Sequence, residues 1–261
     1  LMKFQPSEIF KLVLPLMLAW FYQNKERAIA PKDHVISLIF LSIPFILILN
    51  QPDLGTALML SFSALVIIFM AGLSSKFILW GFIITILSSP LIWKNLEHYQ
   101  QNRILSLIDP FKDALGAGYQ TIQSLIALGS GGLIGKGWLN SSQTQLNFLP
   151  EATTDFIFAV YSEEFGFIGV IAILSIYIAL LLRIFFMISK MQDTFSRLAS
   201  VGLLISLFSG VLVNLGMISG LLPIVGAPLP FFSYGGTSMV VSLVSLGIIM
   251  TLYNHKSLIA N

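Results

Sequence analysis

Three places in this chain set ionisable side chains inside or beside apolar stretches, where each costs roughly 3 kcal/mol to insert into hydrocarbon and so raises a functional question. The first is Glu8 with Lys11, whose spacing puts both on one face of a helix. Such a pair is either a structural ion pair that holds helices together, or a site where Lys11 contacts a diphosphate and Glu8 orients it or ligates a metal. The second is Leu149-Pro150-Glu151-Ala152-Thr153-Thr154-Asp155-Phe156-Ile157-Phe158, which parks an acid just before an apolar run. Partial burial raises a carboxylate's pKa towards values suited to taking a proton, which makes Asp155 the first choice of general base. A helix N-cap by Asp155 or Thr154 is the alternative, and the two roles are compatible. Glu163 and Glu164 open the next apolar run, where one of them can simply pair with a base or face water. The third is Leu128-Gly129-Ser130-Gly131-Gly132-Leu133-Ile134-Gly135-Lys136-Gly137, where glycine-freed amides could cradle oxygens. It misses the nucleotide templates: Ser130 stands where a Walker loop needs glycine, Gly137 where it needs Ser or Thr, and Ile134 breaks the dinucleotide pattern. A flexible turn with one cation remains, and Lys136 there either holds an anionic head group or is merely solvated.

Other chemistry is thin. The chain has no cysteine, which rules out disulfides, thiolate nucleophiles and cysteine metal sites. His34, His98 and His255 are scattered and make no zinc-binding pair. Asn140-Ser141-Ser142 fits a glycosylation sequon, a pattern short enough to arise by chance. Gln51-Pro52-Asp53-Leu54-Gly55 reads as a turn that ends one helix and caps the next. Pro228-Leu229-Pro230-Phe231-Phe232-Ser233-Tyr234-Gly235-Gly236-Thr237-Ser238 joins rigidity, aromatics and glycine hinges, suited either to interface packing or to lining a lipid cavity.

The elements that must position these residues belong in a bilayer. Of 261 residues, 56% are hydrophobic and 10% charged, too little polar surface to clothe a water-soluble body. The 21 phenylalanines and formal charge of +2 exclude disorder, and 14 basic against 12 acidic residues leave no basic stripe for nucleic acid. About seven segments are long and apolar enough to span as helices, at 7–23, 35–50, 54–73, 77–93, 164–188, 197–219 and 235–253. Pro15 and Pro44 fall inside the first two and predict kinks. The expected fold is all-α, a polytopic transmembrane helical bundle forming a single integral membrane domain over 1–261. If the spans alternate, the connections with Lys25, Arg27 and Lys32, with Lys76, with Arg183, Lys190 and Arg197, and with Lys256 share one side, which the positive-inside rule makes cytoplasmic. The other side receives the turn at 50–54, a long loop at 94–155 and the segment 220–233. Within or beside that loop, 121–128 and 133–139 are apolar enough to dip into or lie on the membrane, and 156–161 could re-enter it. Leu1 is no ordinary initiator and no signal peptide follows, so the chain is expected to be a fragment of a larger membrane protein.

Taken together, Gln5-Pro6-Ser7-Glu8 with Lys11, Gln51 to Gly55, Gly129 to Trp138, Leu149 to Phe158 followed by Glu163-Glu164, and Pro230 to Ser238 resemble the SEDS family (shape, elongation, division and sporulation). The five motifs lie in the family's order over nearly the whole chain. The run from Lys136-Gly137-Trp138 through Ser142-Gln143-Thr144-Gln145-Leu146-Asn147-Phe148-Leu149-Pro150-Glu151 is more similar to its rod-shape branch, typified by RodA, than to the division branch, FtsW. The resemblance implies an inner-membrane protein of about ten helices in its complete form. It implies that this chain starts at the fourth of them. The implied activity is polymerisation of lipid II into glycan strands for cell elongation and rod shape, with the site on the outer face. The implied partners are lipid II, the nascent glycan, a class B penicillin-binding transpeptidase, the elongation machinery and membrane lipid. Carried residue by residue, the resemblance puts the essential acid at Asp155 and a functional pair at Glu8 and Lys11, and adds Arg103 and Lys136 as cationic contacts. Glu151, Thr154, Ser233 and Tyr234, from the same motifs, complete the supporting set.

The chemistry this implies is an inverting glycosyl transfer from an undecaprenyl-diphosphate-linked donor. A base is needed at the acceptor hydroxyl and positive charge at the departing diphosphate. Inverting glycosidases offer the geometric analogy. Magnesium or manganese suits such an oxygen-rich site, with no nucleotide cofactor. Two rivals stay open: a flippase for the lipid-linked precursor, and a non-catalytic scaffold for a transpeptidase.

Overall fold

The computed structural model describes residues 5–25, 29–113, 115–116, 118–146 and 148–254, with the backbone alone at 78 and 82. Leu1, Arg27, Asn147, His255 and Lys256, which figure in the expectations above, lie outside the described residues. Among the described residues the regular structure is entirely helical. The long helices are α1 (Pro6–Gln23), α2 (Pro31–Leu49), α3 (Leu54–Met70) and α4 (Ser75–Asn95), then α8 (Ile157–Ser189), α9 (Thr194–Ile218) and α10 (Gly236–Asn254). Between them come α5 (His98–Ile108), a 3-10 turn (Pro110–Asp113), α6 (Tyr119–Ser130) and the single-turn α7 (Ser142–Gln145). The chain is thus all-α, with short helices in the expected outer loop. The helices α2, α4, α8, α9 and α10 are long and apolar enough to cross a membrane; α1, which carries Glu8 and Lys11, falls short on apolarity and α3 on length.

Helix starts follow local chemistry. Pro6 and Pro31 sit in the first turns of α1 and α2, where a missing N–H is no loss. The Asp33 carboxylate reaches back to the Ala30 amide at 2.9 Å, and Asp53 caps α3 by accepting from the Thr56 amide at 2.9 Å. The turn expected at 51–55 therefore does cap the next helix. The helices α1 and α2 run on through Pro15 and Pro44.

The chain forms two compact units. The first draws on Leu1–Ser75, Ile178–Gly210 and Gly235–Asn261. Here α1 packs against α2, α3 and α10. Its core sets Leu14, Leu18, Ile48, Leu60 and Ile67 among Ala19, Ala57, Ala64 and Ala199. In lipid, helices gain little from hiding apolar surface, so small residues that let backbones approach supply the van der Waals contact. Gly202 takes this furthest, since a β-carbon there would strike Ile67 and Pro15.

The second unit draws on Lys76–Tyr177 and Val211–Tyr234. Phe156, Leu149, Ala127, Ala159, Met217, Ile218 and Leu229 form its core. Long-range hydrogen bonds to main-chain carbonyls bind it: Ser124 Oγ donates to Ile218 at 3.1 Å, and the Tyr177 hydroxyl to Pro230 at 2.5 Å. The helix α8 starts at 157, earlier than the span expected from 164, because it continues across a break at Gly166 (φ 63°, ψ −163°). A break in a membrane helix strands backbone groups that must be met by other protein. The glycine-rich segment does this, residue for residue. The amides of Phe167 and Ile168 donate to the carbonyls of Gly132 and Leu133, while the amides of Lys136 and Gly137 donate to those of Glu163 and Glu164. A β-carbon on Gly131 would strike the Ser162 carbonyl, one on Gly135 that of Glu164, and one on Gly166 the backbone of 134–135. The 128–137 motif is therefore a clamp on a broken helix. This corrects the flexible turn expected of it, because its turn at 131–134 is fixed against α8 by main-chain hydrogen bonds.

Candidate active site

The loop at 150–156 is built around Glu151, whose positive φ of 54° turns the chain so that the Thr154 and Phe156 amides both donate to its carbonyl. The Thr154 hydroxyl donates to the Glu151 carboxylate at 2.9 Å. Three successive carbonyls then point to three different donors. Thr153 accepts from the Tyr234 amide at 3.0 Å, Thr154 from Ser233 Oγ at 2.6 Å, and Asp155 from Asn214 Nδ2 at 2.8 Å. Ser233 Oγ also accepts from the Leu229 amide at 2.7 Å. Thus 226–234, which carries the proline and aromatic motif, packs as a strap over the acidic loop, and the Tyr161 ring meets Phe232 edge-on with 5.4 Å between centroids.

Strapped this way, the Asp155 backbone is fixed and its carboxylate is left half-buried. Among the described residues nothing donates a hydrogen bond to it, and the Thr154 hydroxyl turns back to donate to Glu151, so neither side chain caps α8. The Asp155 pKa is raised from 3.8 to about 6, chiefly by burial and next by the Glu151 charge, with the Arg103 guanidinium opposing both. Arg103, on α5, is exposed and lies over the Tyr99 ring, 5.6 Å from its centroid. Gly226 backs the carboxylate, with φ 73° and no β-carbon; one placed there would stand 3.3 Å from Asp155 Oδ2. A carboxylate free of donors and poised near neutrality is equipped to accept a proton.

Of the residues singled out in the sequence, Asp155, Glu151, Thr154, Ser233, Tyr234 and Arg103 come together around this loop. Tyr234 contributes its amide, while its side chain is exposed. Lys136 is held elsewhere. Its ammonium binds Glu163 at 2.5 Å and Ser142 Oγ at 3.0 Å. Glu163, fully buried, also accepts from Ser130, Ser141 and Ser142 hydroxyls and from the Ser142 and Gln143 amides at the start of α7. Of the two alternatives for 163–164, pairing with a base is what Glu163 does. The sequon serines at 141–142 belong to this cluster. In the first unit, Lys11 pairs with Glu8 at 2.5 Å, both largely buried.

Sequence reasoning missed Asn214 and Gly226. A lone amide in the apolar run 211–218 was the available signal for the first; nothing local marks the second. For a metal, no group of three or more His, Asp or Glu is assembled among the described residues. Glu151 offers one carboxylate beside the site, and magnesium is commonly held by one or two carboxylates with substrate phosphates completing its shell.

The cell cycle protein family FtsW/RodA/SpoVE matches residues 1–258. The chain belongs to this family. It is 44% identical over 261 residues to the peptidoglycan glycosyltransferase MrdB of Escherichia coli K12, covering all of this chain and 70% of that protein. Stage V sporulation protein E of Bacillus subtilis is 38% identical, with 97% of this chain and 69% of the relative covered. Among solved structures, a chain of a peptidoglycan synthase complex that coordinates polymerisation and crosslinking superposes with a TM-score of 0.79 at 33% identity, over 96% of this chain and 70% of that one. The rod shape determining protein RodA of Thermus thermophilus gives 0.65 at 29% identity, over 96% and 65%. Family membership makes this an integral membrane protein, and the resemblance to the rod-shape branch agrees with the first of these relatives.

Proposed function

We propose that this chain carries the polymerising centre of a peptidoglycan glycosyltransferase for cell elongation and that Asp155 is its general base. The observation that carries the role of Asp155 is its half-buried, donor-free carboxylate, with a pKa near 6, on a loop strapped at three consecutive carbonyls. The acceptor's 4-hydroxyl oxygen attacks the anomeric carbon of lipid-linked donor, its proton passes to Asp155, and the bond to the diphosphate breaks with inversion. Arg103 is the cation whose charge bears on that acid and so on the departing diphosphate, while Lys11 is ordered by Glu8 within the first unit. Lys136 supports the site through the glycine clamp and Glu163. Glu151, together with diphosphate oxygens, would hold magnesium or manganese, which supplies further positive charge there.

The basic connections at Lys25, Lys32, Lys76 and Lys190 support a site facing the outside of the cytoplasmic membrane, where the lipid II headgroup is presented. The likeness to a chain from a synthase complex supports a crosslinking transpeptidase, of the class B penicillin-binding type, as partner. The test is polymerisation of already accessible lipid II by the purified full-length protein with and without its transpeptidase, beside Asp155→Ala and Asp155→Asn. Folded variants that make no polymer support the assignment. Near-normal polymer from Asp155→Asn removes the base, and no polymer from the parent with its partner leaves the flippase or scaffold.

A further inference from the structure

We propose that Asn214 is a positioning residue for glycosyl transfer, one that sets the distance between the Asp155 carboxylate and the wall behind it. This rests on the reading of Asp155 as the base. Asn214 lies on α9 in an apolar stretch and is fully buried. Burying an amide there is costly unless its hydrogens are met. Both are met by main chain: Nδ2 donates to the Asp155 carbonyl at 2.8 Å and to the Ala227 carbonyl at 2.6 Å. Its Oδ1 has no hydrogen-bond partner among the described residues, so the side chain acts as a two-pronged donor.

What the two prongs join decides the function. One carbonyl belongs to the base itself. The other belongs to the neighbour of Gly226, whose α-carbon confronts Asp155 Oδ2. Two chain segments, 59 and 13 residues from Asn214 in sequence, are thereby held in register at the point where the carboxylate needs an open but narrow space. The Ser233 and Tyr234 contacts hold residues 154 and 153; Asn214 alone among these donors touches both the base and its wall. Removing both prongs lets the loop relax, admits water to the carboxylate, and leaves Glu151 and Arg103 as the charges that face it.

The experiment uses the full-length protein with its transpeptidase. Polymerisation kinetics from pH 5 to 9, lipid II binding and thermal unfolding are compared for the parent, Asn214→Ala, Asn214→Gln and Asp155→Asn. A misplacement of about 1 Å costs on the order of 100-fold in rate, so Asn214→Ala is expected to lose about 10- to 100-fold in kcat with KM and lipid II binding little changed. Its acidic limb is expected to move down in pH, and Asn214→Gln, which keeps both N–H groups, to recover part of the rate. Should Asn214→Ala not fold, Asn214→Gln carries the test, with lower kcat and a displaced acidic limb at unchanged binding expected. The proposal is overturned by folded Asn214 variants with parental kcat and pH profile, or by losses that track only the folded fraction. An active Asp155→Asn instead overturns the base assignment, whatever Asn214 does.

Discussion

The Asp155 carboxylate and the α-carbon of Gly226 face each other so closely that a β-carbon on the glycine would stand 3.3 Å from Oδ2. The space beside the acid exists because residue 226 has no side chain, and its φ of 73° is one that L-residues rarely adopt. Gly226→Ala is therefore expected to destabilise by about 1–2 kcal/mol through backbone strain and to lower polymerisation more than that loss of fold explains. Gly129→Ala, at a helical glycine with open space around it, is the control and should be neutral or slightly stabilising. Thermal unfolding and polymer yield on both variants check this.

The raised pKa of Asp155 predicts two opposite pH dependences. As a base it must be ionised, so kcat/KM should fall below about pH 6 with a slope of one proton. For stability the sign is reversed. Between the ordinary 3.8 and about 6 the folded chain keeps a proton that the unfolded chain has lost, so stability declines as pH rises through that window and stays lowered above it. Asp155→Asn should thus raise unfolding stability at pH 7 by about 1 kcal/mol, part exposure having reduced the effect. The gain should vanish below about pH 4, as unfolding curves at the two pH values would show.

Glu163 gathers an ammonium, three hydroxyls and two amides in a fully buried position. Glu163→Gln turns one of its acceptor atoms into a donor facing donors, and should cost about 2–4 kcal/mol. Lys136→Met leaves the neutral donors in place and should cost less, about 1–3 kcal/mol, because the lysine is partly exposed. Equal losses, or a larger loss for the lysine variant in thermal unfolding, would contradict this ranking.

At the break in α8, Gly166 and Gly135 meet backbone to backbone. Either one replaced by alanine must push the clamp off the helix, exposing carbonyls at 163 and 164 and amides at 167 and 168. Each variant should lose about 3 kcal/mol or more, and the pair should lose less than the sum, because one displacement relieves both contacts. A double-mutant cycle in unfolding free energy measures it; strict additivity would argue against a shared clamp.

Much of this was legible in the residues. Apolar runs located the long helices other than the start of α8 within a few positions, because a segment that spans lipid must satisfy its own backbone and therefore advertises its length. The start of α8 escaped because Gly166 interrupts the helix and distant amides repair it, a fact of pairing that periodicity does not carry. Asp155 stood out as an acid beside an apolar run, and the Glu8–Lys11 pair formed at its helical spacing. Lys136 was singled out as a cation, but its partner lies 27 residues away at Glu163, and no local pattern names that partner.

By itself the sequence determined that the chain lives in a membrane as helices, which positions carry charge against apolar surroundings, and, through its motifs, the family. The first two follow from composition and local spacing, on which solvent acts residue by residue, and the family from the resemblance of its motifs. The tertiary structure alone decided that Asn214, Ser233 and Tyr234 hold consecutive carbonyls of the acidic loop, that Gly226 leaves the acid its space, and that the glycine motif mends a broken helix. Hydrogen bonds and close contacts between residues far apart in the chain exist only once the backbone has folded, so no window of sequence contains them.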